Sequence, residues 1–172
     1  GFAAGGETDR DSTIEYNGSS WTAGGNMNVD RDRLGGAGTQ TARFVFGGEA
    51  PPGRLSSSEN YNGSSWTSGS TMIIQHSDTS GDGTQTAAMV VSGYGPDGSE
   101  SKVCEIYNGT AWITTASSAT GQQACGAAGT TSSMLKFGSK RSSSSFAKTL
   151  LARSSWGILL NTSSYVISRI GL

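Results

Sequence analysis

The sequence has little of what metal sites and nucleophilic active sites are made from: one histidine and two cysteines in 172 residues. A usual His or Cys metal centre needs several such ligands, so none is expected and no cofactor is implied. Cys104 and Cys125 are too few for a disulfide framework. They read as two small buried residues, with a single bridge as the alternative. Charged residues are only 15% of the chain and the formal net charge is -1. No basic face emerges, which excludes broad electrostatic binding to nucleic acid. No apolar run approaches the length of a membrane span. There is neither a signal peptide nor an initiator Met, so a chain starting at Gly1 reads as a processed product or an excised piece. Long helical periodicity is missing, as are runs of Ala, Leu, Glu and Lys.

Glycine, by contrast, occurs 26 times, and Ser and Thr are abundant. Such a composition suits disorder, but the apolar residues fall in short runs such as Phe44-Val45-Phe46 and Met89-Val90-Val91. Bounded by turn residues, these runs predict buried strands. The runs also repeat. Tyr16-Asn17-Gly18-Ser19-Ser20-Trp21 returns as Tyr61-Asn62-Gly63-Ser64-Ser65-Trp66 and again as Tyr107-Asn108-Gly109-Thr110-Ala111-Trp112, at steps of 45 and 46 residues. Gly38-Thr39-Gln40-Thr41-Ala42 matches Gly83-Thr84-Gln85-Thr86-Ala87, with a looser copy at Gly129-Thr130-Thr131-Ser132-Ser133. Each is followed by an apolar run that ends in small residues.

One unit predicts a four-stranded antiparallel sheet. A short Gly-rich strand near 33–37 turns at Gly-Thr-Gln into an apolar second strand at 42–46. A loop of variable length leads to a third strand, at 13–16 in the first copy and 103–107 in the third. Asn-Gly then predicts a tight hairpin, because both residues tolerate positive φ. The fourth strand carries the Trp. Gly-rich first strands suit sheets that converge on an axis. The repeated aromatics Tyr16, Trp21, Tyr61, Trp66, Tyr107, Trp112 and Trp156 would supply bulk between neighbouring sheets.

An apolar run, a Gly-Gly pair, a Tyr and a Trp, in that order at this period, resemble the kelch repeat, whose units form propeller blades. The Tyr-Asn-Gly-Ser-Ser-Trp and Gly-Thr-Gln-Thr-Ala elements look like kelch-like arrays of marine bacteria and their phages. The resemblance covers residues 2–139 and weakens from Lys140 on, where Leu151-Ala152-Arg153-Ser154-Ser155-Trp156 replaces the Tyr-Asn-Gly element. Trp156 still lies 44 residues after Trp112, where a fourth is due. Kelch-like copper oxidases need a His, Tyr and Cys-Tyr set that this sequence lacks, so the resemblance does not imply oxidase activity.

The ends define a phase. Phe2-Ala3-Ala4-Gly5-Gly6 matches Phe44-Val45-Phe46-Gly47-Gly48, so the chain starts on a second strand. Residues 165–172 fall where a first strand is due. The expectation is an all-β domain, 1–172: a small β-propeller of four kelch-like four-stranded antiparallel blades, closed by pairing of the N- and C-terminal strands. The composite blade is 1–24 with 157–172, and the continuous blades are 25–69, 70–115 and 116–156. Closure would remove exposed sheet edges. An arc of a larger ring, completed by another chain, is the alternative.

Antiparallel order puts the loops between second and third strands (7–12, 49–57, 94–101 and 139–148) on one face with the inter-blade loops. Loops on a rigid scaffold are the usual place of recognition. The candidate binding residues there are Asp30, Arg31, Asp32, Arg54, Gln75, His76, Tyr94, Asp97, Gln122 and Gln123. His76 by itself reads as a surface loop residue, and Asp30-Arg31-Asp32-Arg33 as a loop ion-pair cluster. Asp78, Ser80, Asp82 and Gly83 have the spacing that opens an EF-hand loop, but its closing Glu would fall at Met89, so a polar turn is expected. The sequons at Asn17, Asn62 and Asn108 are explained by hairpin chemistry. No Gly-x-Ser-x-Gly elbow with a His partner occurs, and the spacing of Asp78, Asp82, Asp97 and Glu100 gives no sign of an acid–base pair.

These features point to no catalytic residue. They suggest a binding or structural propeller, adhesin-like or virion-associated and outside the cell, with a protein or glycan surface as partner. Homo-oligomers or larger assemblies are compatible with it; nucleic acid and membrane insertion are not expected. A carbohydrate-active hydrolase or lyase on the same scaffold is the alternative.

Overall fold

The computed structural model describes residues 1–138 and, beyond them, the backbone of two short strands. Gly1–Lys140 form one compact unit and Arg141–Leu172 a second. The described elements are all strands, joined by turns, with no helix among the described residues. None therefore is a helix long and apolar enough to cross a membrane.

The first sheet holds β1 (Phe2–Ala4), β2 (Thr13–Tyr16) and β3 (Trp21–Ala23), paired in sequence order. The second runs β4 (Gly35–Gly38), β5 (Arg43–Phe46), then, past a small hairpin of β6 (Glu49–Ala50) and β7 (Gly53–Arg54), β8 (Ser58–Tyr61) and β9 (Trp66–Ser68). The third holds β10 (Ser80–Thr84), β11 (Ala87–Val91), β12 (Cys104–Tyr107) and β13 (Trp112–Thr115). A further two-stranded sheet pairs β14 (Gly126–Thr130) with β15 (Ser133–Phe137). All pairings are antiparallel, and the repeat sets the register: Tyr16 faces Trp21, Tyr61 faces Trp66 and Tyr107 faces Trp112.

In the second unit β16 (Leu160–Asn161) pairs with β17 (Val166–Ile167). The rest of the segment expected to add a strand beside β1 lies outside the described residues, as do Trp156 and the loop at 139–148. Among the described strands β1 has β2 as its sole partner, so a closed four-blade ring is not seen.

The hairpin chemistry differs from the sequence expectation. The Tyr–Trp pairs enclose four residues, and only the Gly has positive φ (Gly18 106°, Gly63 96°, Gly109 93°). Asn acts through its side chain instead: Asn62 Oδ1 accepts the N–H groups of Ser64 (3.0 Å) and Ser65 (2.9 Å), and Asn17 and Asn108 do the same. This local bond closes the loop without asking Asn for a left-handed backbone.

Glycine in the first strands has the expected steric basis. β10 lies against both β4 and β14. A Cβ on Gly81 would meet the Phe46 ring at 2.6 Å, so a side chain there would drive the sheets apart. The core forms two layers between sheets. Met27, Val45, Tyr61 and Trp66 pack with Phe2, Ala4 and Leu34 between the first and second. Ala37, Phe44, Phe46, Met72, Ala88, Val90, Tyr107 and Trp112 pack between the second and third. Trp66 and Trp112 reach back toward the sheet before theirs: Trp66 Nε1 donates to Gly25 O (2.9 Å) and Thr13 Oγ1 (3.1 Å), and Trp112 Nε1 to Ser70 O (3.1 Å). Aromatic contacts add about 0.5–1.5 kcal/mol per pair beyond the burial itself. Cys104 is buried, Cys125 half-buried, and both are free thiols.

Candidate binding face

The two loop families expected on one face are hydrogen-bonded to each other. Gly6 N–H donates to Arg31 O (3.4 Å), Gly48 N–H to His76 O (2.8 Å) and Gly93 N–H to Gln122 O (2.8 Å). The same bond thus recurs once per repeat, from the glycine that follows the strand of an apolar run to the loop that leads into the next sheet. Bridges Asp32–Glu49, Leu55–His76 and Ser77–Tyr94 extend it into a belt. Backbone groups of loops are satisfied here by other loops, which removes their usual freedom.

Beneath the belt lie two buried acid pairs. Glu59 is almost wholly buried and accepts from Asn28 N–H (2.8 Å), Val29 N–H (3.2 Å) and Arg31 Nη2 (2.8 Å). Arg31 is fully buried and also donates to Gly47 O (2.9 Å) and Ser57 O (3.0 Å). Burial pushes its guanidinium below the ordinary value, against the pull of Glu59. One repeat later, Glu105 accepts from Ile73 N–H (2.8 Å) and Ile74 N–H (3.0 Å), with His76 Nε2 at 3.6 Å from its Oε1. His76 is fully buried. Arg31 and His76 are therefore packing residues at the root of the loops. Neither side chain is exposed: His76 is not a surface histidine, and Arg31 does not belong to a surface cluster.

The other expected residues divide. Asp30 and Asp97 are exposed, and Arg54, Gln75, Tyr94 and Gln122 half-buried. Asp32 and Gln123 are buried at the margin of the belt. The Arg54 guanidinium sits 5.4 Å from the Tyr94 ring centre while its Nε donates to Ser77 Oγ (3.0 Å). Asp97 accepts from the Ser99 hydroxyl (2.7 Å) and N–H (3.0 Å), which hold its carboxyl below the usual range, with Arg54 adding a smaller pull. Of the repeat aromatics, Tyr61, Trp66, Tyr107 and Trp112 are buried, Tyr16 is half-buried and Trp21 exposed.

A cleft of about 360 Å³ opens between the 7–12 loop and the β6–β7 hairpin. Glu7, Arg10, Asp32, Arg33 and Glu49 line it, with Pro51 and Pro52 on one wall. Charges alternate around it: Arg10 lies 3.7 Å from Asp32, and Arg33 lies 3.4 Å from Glu49. The Arg33–Glu49 pair is the more exposed of the two and contributes little to stability. The two pairs leave donors and acceptors turned toward one shallow space. Among the described residues no three His, Cys, Asp or Glu side chains gather to hold a metal ion.

Sequence reasoning did not single out Glu7, Arg10, Glu49, Glu59 or Glu105. For Glu59 and Glu105 a signal existed, since each stands two residues before the repeat Tyr. The Gln of Gly-Thr-Gln-Thr-Ala was another: Gln85 Nε2 donates to Arg43 O (2.9 Å) and Tyr61 O (2.8 Å), tying one sheet to the one before. No family model and no curated protein matches the chain.

Proposed function

We propose that this chain is a non-catalytic recognition or structural module built of kelch-like propeller blades. Its loop face meets a glycan or protein surface, as in an adhesin-like, cell-surface or virion-associated component. The belt of loop-to-loop hydrogen bonds carries this reading. It displays Asp30, Arg54, Tyr94, Asp97 and the cleft at fixed spacing, and preorganised loops lose less entropy on binding. The cleft offers carboxylates and guanidinium groups to hydroxyls, and Pro51 and Pro52 offer an apolar wall. A ring of four blades closed by residues 157–172 is the fuller scaffold that the repeat phase suggests. An arc completed by another chain is the other form, and the exposed end faces described below favour it. A glycan array and a pull-down from cell-surface material test the reading, run beside Arg10→Ala, Arg54→Ala and Tyr94→Ala. Binding weakened by these changes supports it; no binding above background, or binding indifferent to all three, counts against it.

A carbohydrate-active hydrolase or lyase is the second reading, kept by Glu7, Asp32 and Glu49 lining one cleft. Turnover of an oligosaccharide that is lost in Glu49→Gln while binding persists would decide for it.

A further inference from the structure

The joint between sheets is made twice within the chain by the same parts. Trp66 lies against Phe2 of the preceding sheet, with ring centres 5.9 Å apart. Trp112 lies against Phe44 and Phe46 at 5.6 and 5.2 Å. The Trp of one sheet is the knob, and the apolar residues of the preceding second strand are the socket.

The ends of the series carry one unused half each. Trp21 faces Tyr16 across β2–β3 as Trp66 faces Tyr61, yet it is 53% exposed, with Ile14 beside it at 44%. At the other end Phe137 stands opposite Gly126 as Phe46 stands opposite Gly35. Leu135 and Phe137 are 51% and 52% exposed. One face is a knob with no socket, the other a socket with no knob. Both belong to the same compact unit, and both stay exposed within it. No described residue covers either. Large apolar side chains side by side on an open sheet face mark an interaction surface.

We propose that a second copy of this chain docks head-to-tail here, the Trp21 face of one copy on the Leu135–Phe137 face of the next. The contact continues an interface the chain already makes twice, so the partner's shape is set by the repeat. It is heterologous: every copy retains one knob and one socket, and the assembly grows until its rotation closes a ring or a filament forms. This proposal stands apart from what the loop face binds.

Sedimentation velocity of the purified 172-residue chain over a wide concentration range tests it. The expected result is mass rising in whole multiples of the chain. Trp21→Ser and the double change Leu135→Ser/Phe137→Ser should each leave monomers, since either removes one half of every joint. Both alter exposed side chains, so the fold is retained. Mixed in equal amounts, the two variants should recover dimers and nothing larger, because one intact knob and one intact socket remain. Trp21→Phe should associate more weakly than the parent but detectably. A parent chain that stays monomeric throughout overturns the proposal, whether the faces meet within one chain or residues 139–172 cover them. Association that survives Trp21→Ser also overturns it. So does association lost in Trp21→Ser but retained in the double variant, which would mean like faces meeting.

Discussion

Glu59→Ala should be among the most damaging single changes in this chain. Glu59 takes four hydrogen bonds in a site closed to water: from Asn28 N–H and Nδ2, both 2.8 Å, Val29 N–H at 3.2 Å and Arg31 Nη2 at 2.8 Å. Its loss leaves a fully buried guanidinium with carbonyls and a hydroxyl but no counter-charge. Breaking a buried pair from one side costs about 3–5 kcal/mol. In a chain of this size that lowers the thermal midpoint by roughly 6–20 °C. Glu105 is the internal control. It accepts two backbone N–H groups, but His76 at 3.6 Å is beyond a good hydrogen bond, and no buried guanidinium depends on it. Glu105→Ala should cost about 1–3 kcal/mol, the scale of stranded buried donors. Urea titration followed by Trp fluorescence measures both. Adding Arg31→Met to Glu59→Ala should recover part of the loss, since it removes the orphaned charge. If Glu59→Ala costs less than Glu105→Ala, or if Arg31→Met adds its full cost on top, the ion-pair account is wrong.

Trp112→Ala should cost about 3–5 kcal/mol, as for other buried aromatics, whereas Trp21→Ala in dilute solution should cost under about 0.5 kcal/mol; denaturant midpoints compare them. Glu15 gives an acid-limb prediction. Its carboxyl is held below the usual range first by the Tyr61 hydroxyl (2.6 Å) and then by Gln40 (2.9 Å). A lowered folded pKa contributes stability above the ordinary carboxylate pKa that is lost as pH falls through the lowered value. Glu15→Gln should therefore lower stability in the neutral region, where the carboxylate contributes, and change it little at acid pH, so the acid side of a stability–pH profile flattens. Tyr61 is shifted the other way, raised by burial and then by Glu15, so its contribution holds below the ordinary phenol pKa and declines as pH rises through the raised one. Asn62→Ala should lose about 1 kcal/mol with its two backbone bonds, while Ser64→Ala stays near neutral; thermal melts separate the two.

The strands and their order were legible because their signals are local and recur. Apolar runs at Arg43–Phe46 and Ala87–Val91, a Gly-bearing hairpin and a following Trp fall in the same places in each repeat, and the observed register pairs Tyr with Trp each time. The position of the loop belt followed from antiparallel order alone. What misled was judging a residue by its own segment. Arg31 and His76 sit in polar, loop-like stretches, which reads as surface. Their exposure is decided by Glu59 and Glu105, 28 and 29 residues further along, whose strands close over them. Asn17, Asn62 and Asn108 were placed in the right turns for an incomplete reason, because the side-chain bond, not the backbone of Asn, closes each loop.

The sequence by itself determined the repeat period, the strand alternation and the phase at which the chain begins, since these rest on spacing and local backbone preference. Tertiary structure alone decided which charges are buried, which loops hold each other, and that Trp21, Leu135 and Phe137 lie open while their counterparts are covered. The reason is physical. Identical repeat letters have different environments according to whether a neighbouring sheet is present, and that neighbour lies some 45 residues away or, at either end of the series, is not among the described residues.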